Sequence, residues 1–370
     1  MDRKEMTRTL DAWIATTYAH ARADRRLPTG RNALKSYIIE SDDENVAKDP
    51  DSLALFFSDH AAVPHVQIEA TDDPTLHQLR FPRYNIDFFL DTLDPRFWIL
   101  HTIASADQAD GSIRRLIQRT PSLDSTWIPT QFMEEWSESL GAPRSVTCKF
   151  SMPMGAYLDS LPDEEFGDDS LFLRFSTPGD FRPRLRAFRE SEQLASSLAV
   201  WAMRVTRRDS QRELIVHDDV TSGGKLTCRG NSFALHSEVV LTLKSQYSDL
   251  ISGWEKTYRM GWQSDEKGLY PTGQVAELHL PVALDQAGAE TFLATVFSGG
   301  EPYRLYGLPI QDGSGRFVVN GVDLHNGDRI DFELLPDVFR VYLHATSCGN
   351  VLARLLTNLQ HFHDARVRLL

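Results

Sequence analysis

Asp323, Asp331, Glu333 and His344 are the residue types that divalent-metal or shared-proton chemistry uses, and they fall in a stretch where strand register can be argued. Over Arg329–Leu335, Ile330, Phe332 and Leu334 alternate with Arg329, Asp331 and Glu333, which gives one core face and one polar face. Over Val338–His344, Phe339, Val341 and Leu343 alternate in the same way with Arg340, Tyr342 and His344. A Pro336-Asp337 turn then sets Glu333 opposite Arg340, Asp331 opposite Tyr342 and Arg329 opposite His344. The preceding strand is read with Val318, Val322 and Leu324 facing the core and Gly327 left-handed in the connecting loop. That parity brings Asp323 across from Asp331, two carboxylates at ~5 Å. With Glu333 and His344 beside them, such a pair suits a divalent cation, and hence a metal-assisted phosphoesterase or nuclease. The competing expectation is a solvated face on which Arg329 and Arg340 neutralise the acids, each exposed pair contributing less than ~1 kcal/mol.

A second group concerns binding. Eight arginines lie between Arg182 and Arg212 against three acids, in a chain whose net charge is -13. Arg182, Arg186 and Arg189 share one face of a helix expected from about residue 180 to 203, and Arg204, Arg207, Arg208 and Arg212 follow it. Guanidinium forks in this number suit a polyanion or an acidic protein surface, with Phe181, Phe188 and Trp201 as stacking platforms. The acidic loop Asp163–Asp169 offers an internal alternative. In so acidic a chain any nucleic-acid contact is focal.

Other motifs are fragments. His344-Ala345-Thr346 is one half of the paired His-x-Thr pattern of two-histidine phosphoesterases, without a second copy. His217-Asp218-Asp219 is a compact set of metal-capable groups at a strand end. Thr221-Ser222-Gly223-Gly224-Lys225 lacks the spacing of a phosphate loop, and no GxSxG elbow occurs. No cofactor is indicated beyond a possible divalent metal. Cys148, Cys228 and Cys348 are too far apart for a disulfide framework or a CxxC knuckle, which points to a reducing cytoplasm. The N-terminus lacks an apolar stretch and no run approaches ~18 apolar residues, so no membrane partner is expected.

These residues need elements to hold them. Helical and strand periods alternate irregularly, with hairpin-linked strands and helices at their ends, which indicates an α+β fold of mixed or antiparallel sheets with packed helices, in two or three sub-domains. The segments read as residues 1–142, 143–270 and 271–370. The most regular element is a helix of some 26 residues in which Phe233, Val240, Tyr247 and Trp254 recur every seven residues, interleaved with His236, Leu243 and Leu250. Its stripe serves either the chain's own core or a seam with a partner. A closing helix, Gly349–Arg366, carries Val351, Leu352, Leu355, Leu356, Leu359 and Phe362 on a buried face. The favoured reading is a non-enzymatic binding or scaffold component of a larger cytoplasmic, bacterial assembly. It would contact a protein or nucleic-acid partner through the arginine-rich segment and the long amphipathic helix.

Overall fold

Period-two alternation dominates residues 34–230 and again 259–369, and each stretch builds a sheet. The computed structural model describes residues 2–29, 31, 33–59, 66–151, 170–176, 180–265, 268–313 and 315–370. The chain opens with helix α1 (Arg3–Ala23), strand β1 (Leu34–Ser41), helix α2 (Pro50–Asp59), and strands β2 (Gln67–Ala70), β3 (Leu76–Phe81), β4 (Ile86–Asp91) and β5 (Phe97–Thr102). Helix α3 (Ala106–Arg119), strand β6 (Leu123–Ser125), helix α4 (Thr130–Leu140), and strands β7 (Ala142–Ser151) and β8 (Ser170–Ser176) follow. Next come helices α5 (Arg182–Arg189) and α6 (Glu192–Ala195), strands β9 (Val200–Asp209), β10 (Leu214–Thr221) and β11 (Lys225–Gly230), and helix α7 (Phe233–Tyr258). The remainder is β12 (Arg259–Asp265), β13 (Gly268–Thr272), β14 (Ala276–His279), α8 (Gln286–Val296), β15 (Leu305–Gln311), β16 (Phe317–Asp323), β17 (Arg329–Leu334), β18 (Val338–His344), α9 (Asn350–Phe362) and β19 (Arg368–Leu369).

The first sheet runs β2-β3-β4-β5-β1-β11-β10-β9-β7-β8, with β6 also on β1, so it crosses the 142/143 boundary drawn from the sequence. The second runs β13-β12-β18-β17-β16-β15, with β14 bridging β18 and β19. Among the described residues, pairing is antiparallel except between β12 and β18. The protein is therefore α+β, as its pattern of elements indicates. Strand β1 is buried along its whole length because both of its faces are covered. Tyr37 and Ile39 pack towards α2 and α3, while Ile38 joins a core that continues through α7 and α9 to Phe332 and Phe339 of the second sheet.

Helix α7 has the expected 26 residues, capped at its start by the Ser232 hydroxyl, which accepts from the Leu235 amide. Its stripe of Phe233, His236, Val240, Leu243, Tyr247 and Trp254 is buried within the chain. The partner-seam expectation is thereby corrected, because this helix uses its apolar side internally. Helix α9 departs from expectation in the opposite direction: every residue from Asn350 to His361 is buried, so its polar side is enclosed as fully as its apolar one.

The helix expected over residues 180–203 is also corrected. Helical structure stops by Ala195 and β9 begins at Val200, so Arg204, Arg207 and Arg208 lie on a strand. The helical spacing of Leu194, Leu198 and Trp201 loses here to ladder bonds, since β9 is flanked on both sides by β7 and β10.

Candidate functional site

On the second sheet, Glu333 pairs with Arg340 and Asp331 with Tyr342, as the alternation requires. Asp323 does not join them. Asn320 stands opposite Asp331, and Phe317 and Val319, not Val318 and Val322, face the core. Gly327 is left-handed as expected, with φ 82°. The parity is nevertheless one residue out, which turns Asp323 inward. There it is about 1% exposed and is held by Arg354 from α9. Gly321 shares the inward parity, and a Cβ on it would come within 2.9 Å of the Phe332 ring, so the close approach of these strands uses the missing side chain. The four-residue catalytic set is thus corrected to three on the face and one in the interior.

The three outward residues are not equivalent. Glu333 accepts from Arg316 at 2.6 Å, Arg340 at 3.0 Å and the Tyr342 hydroxyl at 2.8 Å. Burial pushes its carboxyl up, but the hydrogen bonds from Arg340, Tyr342 and Arg316 outweigh this and hold it below the ordinary carboxylate range. Asp331 and His344 form a solvated pair at 3.2 Å. Together they line an open hollow of about 550 Å³ with Trp262 and Met260 on its far side. A saturated carboxylate beside a screened ion pair provides a polar surface, not a converging cation site.

The arginine-rich segment is largely tied down. Arg182 holds Asp180 and Glu138, Arg189 holds Glu134 at 2.6 Å, Arg204 holds Asp219 at 2.5 Å and Arg207 holds Glu238 at 3.0 Å. Arg207 also donates to the Leu140 and Ser139 carbonyls at the end of α4. Arg212 reaches Asp209 only at 3.8 Å, and Arg186 and Arg208 are exposed. Internal pairing is therefore extensive, with acids on α4, β10 and α7; the Asp163–Asp169 loop lies outside the described residues.

The most concentrated polar chemistry is buried where the two sheets meet. Arg354, fully buried, bridges Asp124 of β6 and Asp323 of β16, and its Nε donates to the Tyr303 carbonyl at 2.9 Å. Burial alone would raise the Asp124 carboxyl; Arg354, His325 and Arg304 bring it below its ordinary range. Arg96 donates to Glu40 at 2.8 Å and grips both oxygens of Glu255, at 2.6 and 3.0 Å. Glu255 in turn accepts from the Gly349 amide at 2.8 Å. Any side chain at Gly349 would collide with Glu255, since its Cβ would come within 2.6 Å of Cγ. The Cys348 thiol lies 3.3 Å from Glu40 Oε1.

A second buried set runs through the first sheet. Asp218 accepts from His236 Nδ1 at 2.7 Å, His236 Nε2 meets the Ser36 hydroxyl at 2.7 Å, and Ser36 meets His101 Nδ1 at 2.6 Å. The order carboxylate, imidazole, hydroxyl is that of an activated serine. Ser36, His236 and Asp218 are all inaccessible to solvent, however, and Ser36 is shared with a second histidine. The contacts run in one line from His101 through Ser36 and His236 to Asp218 Oδ1, and the other Asp218 oxygen has no hydrogen-bond partner. This line acts as a polar pin between β1, β5, β10 and α7. Of the His217-Asp218-Asp219 set, Asp218 alone points inward; Asp219 is taken by Arg204 and Arg229, and His217 by Thr206.

Sequence reasoning missed both buried sets. The one local signal was His236 at an apolar position of the seven-residue stripe, which demands a buried partner; Arg354 lies on the polar side of its helix and gives none.

The comparisons agree with a single continuous relationship along the chain. It is 25% identical over 396 aligned positions to the Methanocaldococcus jannaschii protein named "Uncharacterized protein MJECL33", covering 98% of this chain and 92% of that one. The family model described as MJECL33-like protein matches residues 1–370, and the chain belongs to that family.

Proposed function

We propose that this chain is a non-enzymatic binding component that holds a protein partner on the outer face of its second sheet. The observation that carries this reading is an uncovered apolar face on the edge strand β15 of the second sheet. Tyr306, Leu308 and Ile310 alternate outward along β15, with Leu308 70% and Ile310 63% exposed. Val318 and Val322 continue that patch across β16, and Trp262, 70% exposed, stands on the other side of the charged strip. Apolar groups flanking paired charges have the anatomy of a docking surface, with a large aromatic as anchor and a polar rim that fixes register. Strand β15 is also the sheet's edge, so a partner can add backbone hydrogen bonds to side-chain contacts. The partner chemistry is therefore an apolar protein segment, extended or sheet-like. We place the assembly in the cytoplasm, supported by three buried cysteines that are all free. Among the described residues no helix is long and apolar enough to cross a membrane.

The arginine-rich segment carries less of the binding in this reading, because most of its guanidiniums already hold acids. The phosphoesterase alternative loses its central pair with the inward turn of Asp323. Crosslinking in the native host, with joined peptides identified by mass spectrometry, tests the proposal. Crosslinks should concentrate on β12, β15 and β16, and Leu308→Glu with Trp262→Ala should abolish them while leaving the melting temperature unchanged. Crosslinks that map elsewhere, or that survive the double change, would remove this face from consideration. Steep loss of a partner between low and moderate salt would point to the arginines instead.

A further inference from the structure

We infer that Glu40, His325 and Cys348 form a divalent transition-metal site of the zinc class, clamping β1 to the loop after β16 and to the turn before α9. A Glu40 carboxylate oxygen, a His325 ring nitrogen and the Cys348 sulfur lie within 4.8 Å of one another, and all three residues are buried. Tetrahedral zinc, with bonds of ~2.0–2.3 Å, takes these donor types and gathers them with shifts of under about an ångström each.

The hydrogen bonding separates this set from an ordinary polar cluster. His325 Nδ1 is committed to the Leu123 carbonyl at 3.1 Å, which leaves Nε2 as the nitrogen with a lone pair. That nitrogen has no hydrogen-bond partner, although His325 is 1% exposed. A ligating histidine is usually oriented in this way, with its other N–H given to a carbonyl. Glu40 is equally asymmetric: Oε1 meets Arg96 and Cys348, whereas the buried Oε2 has no partner. Two unfilled acceptors in one buried place need a donor or a cation between them.

Charge points the same way. Arg96 touches Glu40 and Cys348, but both of its terminal nitrogens are held by Glu255. Glu255 is shared with Arg259 at 3.0 Å, so the two guanidiniums balance Glu255 and Glu40 together. Asp42 and Asp328, whose fields meet beside His325, add negative charge at the more open side of the set, where Asp42 is exposed and Asp328 half-buried. The donors come from positions 40, 325 and 348, so an ion there ties both sheets together, which is a structural role and independent of the partner-binding reading.

The full-length chain, stripped with a chelator and titrated with Co²⁺, should bind one equivalent. The bound ion should show thiolate-to-metal charge-transfer absorption and the visible bands of a four-coordinate ion. Zn²⁺ should displace it and raise the melting temperature, and chelator should reverse the rise. Cys348→Ser should abolish the charge-transfer band, and His325→Gln should weaken affinity at least about tenfold. Because Cys348→Ser can disturb the junction, Glu40→Gln supplies a second test: it should keep the sulfur band and lose affinity. Cys228, which lies with Asp218 and His236 in the other buried grouping, supplies the control: Cys228→Ser should change neither band nor affinity. A folded wild-type chain without the cobalt bands, or bands that persist in Cys348→Ser, or bands lost in Cys228→Ser, would each overturn the site.

Discussion

His236 and His325 are both buried, both lie near a cysteine and a carboxylate, and both belong to groupings with metal-capable spacing. They differ in what their second ring nitrogen meets. In His236 one nitrogen faces Asp218 and the other faces Ser36, and Ser36 is satisfied in turn by His101. In His325 one nitrogen faces the Leu123 carbonyl and the other faces nothing that can donate. Each set keeps one buried carboxylate oxygen without a partner, Oδ2 of Asp218 and Oε2 of Glu40, but only the second also leaves a histidine nitrogen unfilled. Proximity of ligand-type residues is therefore a weak guide, and an unfilled histidine nitrogen is what separates a site from a polar pin.

The largest effect expected from this contrast lies in the set around His236. His236→Ala leaves the Asp218 carboxylate buried without its partner, which should cost ~3–5 kcal/mol in urea denaturation. The loss should be the same with chelator or with Zn²⁺ present. A cost below ~1 kcal/mol would mean that the relay does not hold the sheet to α7.

The relay should also make stability acid-sensitive. Burial, and then the proximity of His236 and Arg3, lower the pKa of His101 from 6.5 to about 3. Between those values the unfolded chain binds a proton that the folded chain refuses. The contribution of His101 is therefore fully present above pH ~6.5 and is lost as the pH falls towards about 3, with a slope of up to ~1.4 kcal/mol per pH unit. His101→Asn keeps a donor for Ser36 and should flatten that part of the curve of melting temperature against pH. An unchanged slope would move the acid sensitivity elsewhere, for instance to His361, which burial lowers to about 4.

For the open set the expected cost is smaller. In chelator, His325→Gln removes only the bond to the Leu123 carbonyl, so the loss should be ~1 kcal/mol or less. A loss equal to that of His236→Ala under the same conditions would show that Nε2 is already satisfied, and the contrast would collapse.

How far these features can be read from the residues depends on their range. Helix α7 was legible to its length because its seven-residue stripe is local and strong. The β17–β18 register was legible because two alternating strands meet at a short turn. Asp323 was not, because Val318, Val322 and Leu324 offer an equally apolar face of the opposite parity, and its counter-charge, Arg354, stands on the polar side of a helix whose burial on every side has no local signal. The relay joins positions separated by 18, 65 and 200 residues, which no local period can reveal. The run over residues 180–203 misled because strand β9 owes its form to neighbours on both sides and not to its own spacing.

The smallest effect is expected where valences are filled by solvent. Asp331 and His344 face each other at 3.2 Å with side chains 41% and 50% exposed, so water competes for both partners and salt screens them. The carboxylate that would have made Asp331 half of a metal pair, Asp323, lies on the opposite side of the sheet with Arg354. Asp331→Asn should then change stability by less than ~0.5 kcal/mol, with that small change vanishing at high salt. Divalent ions should shift the melting temperature of this variant as much as that of the wild type, because the inferred ion lies at Glu40, His325 and Cys348. Glu333→Gln, measured alongside, should cost more, since three donors converge on that carboxylate from Arg316, Arg340 and Tyr342. If Asp331→Asn instead removed the metal response, the outer face would be the cation site and the unfilled nitrogen of His325 would need another explanation.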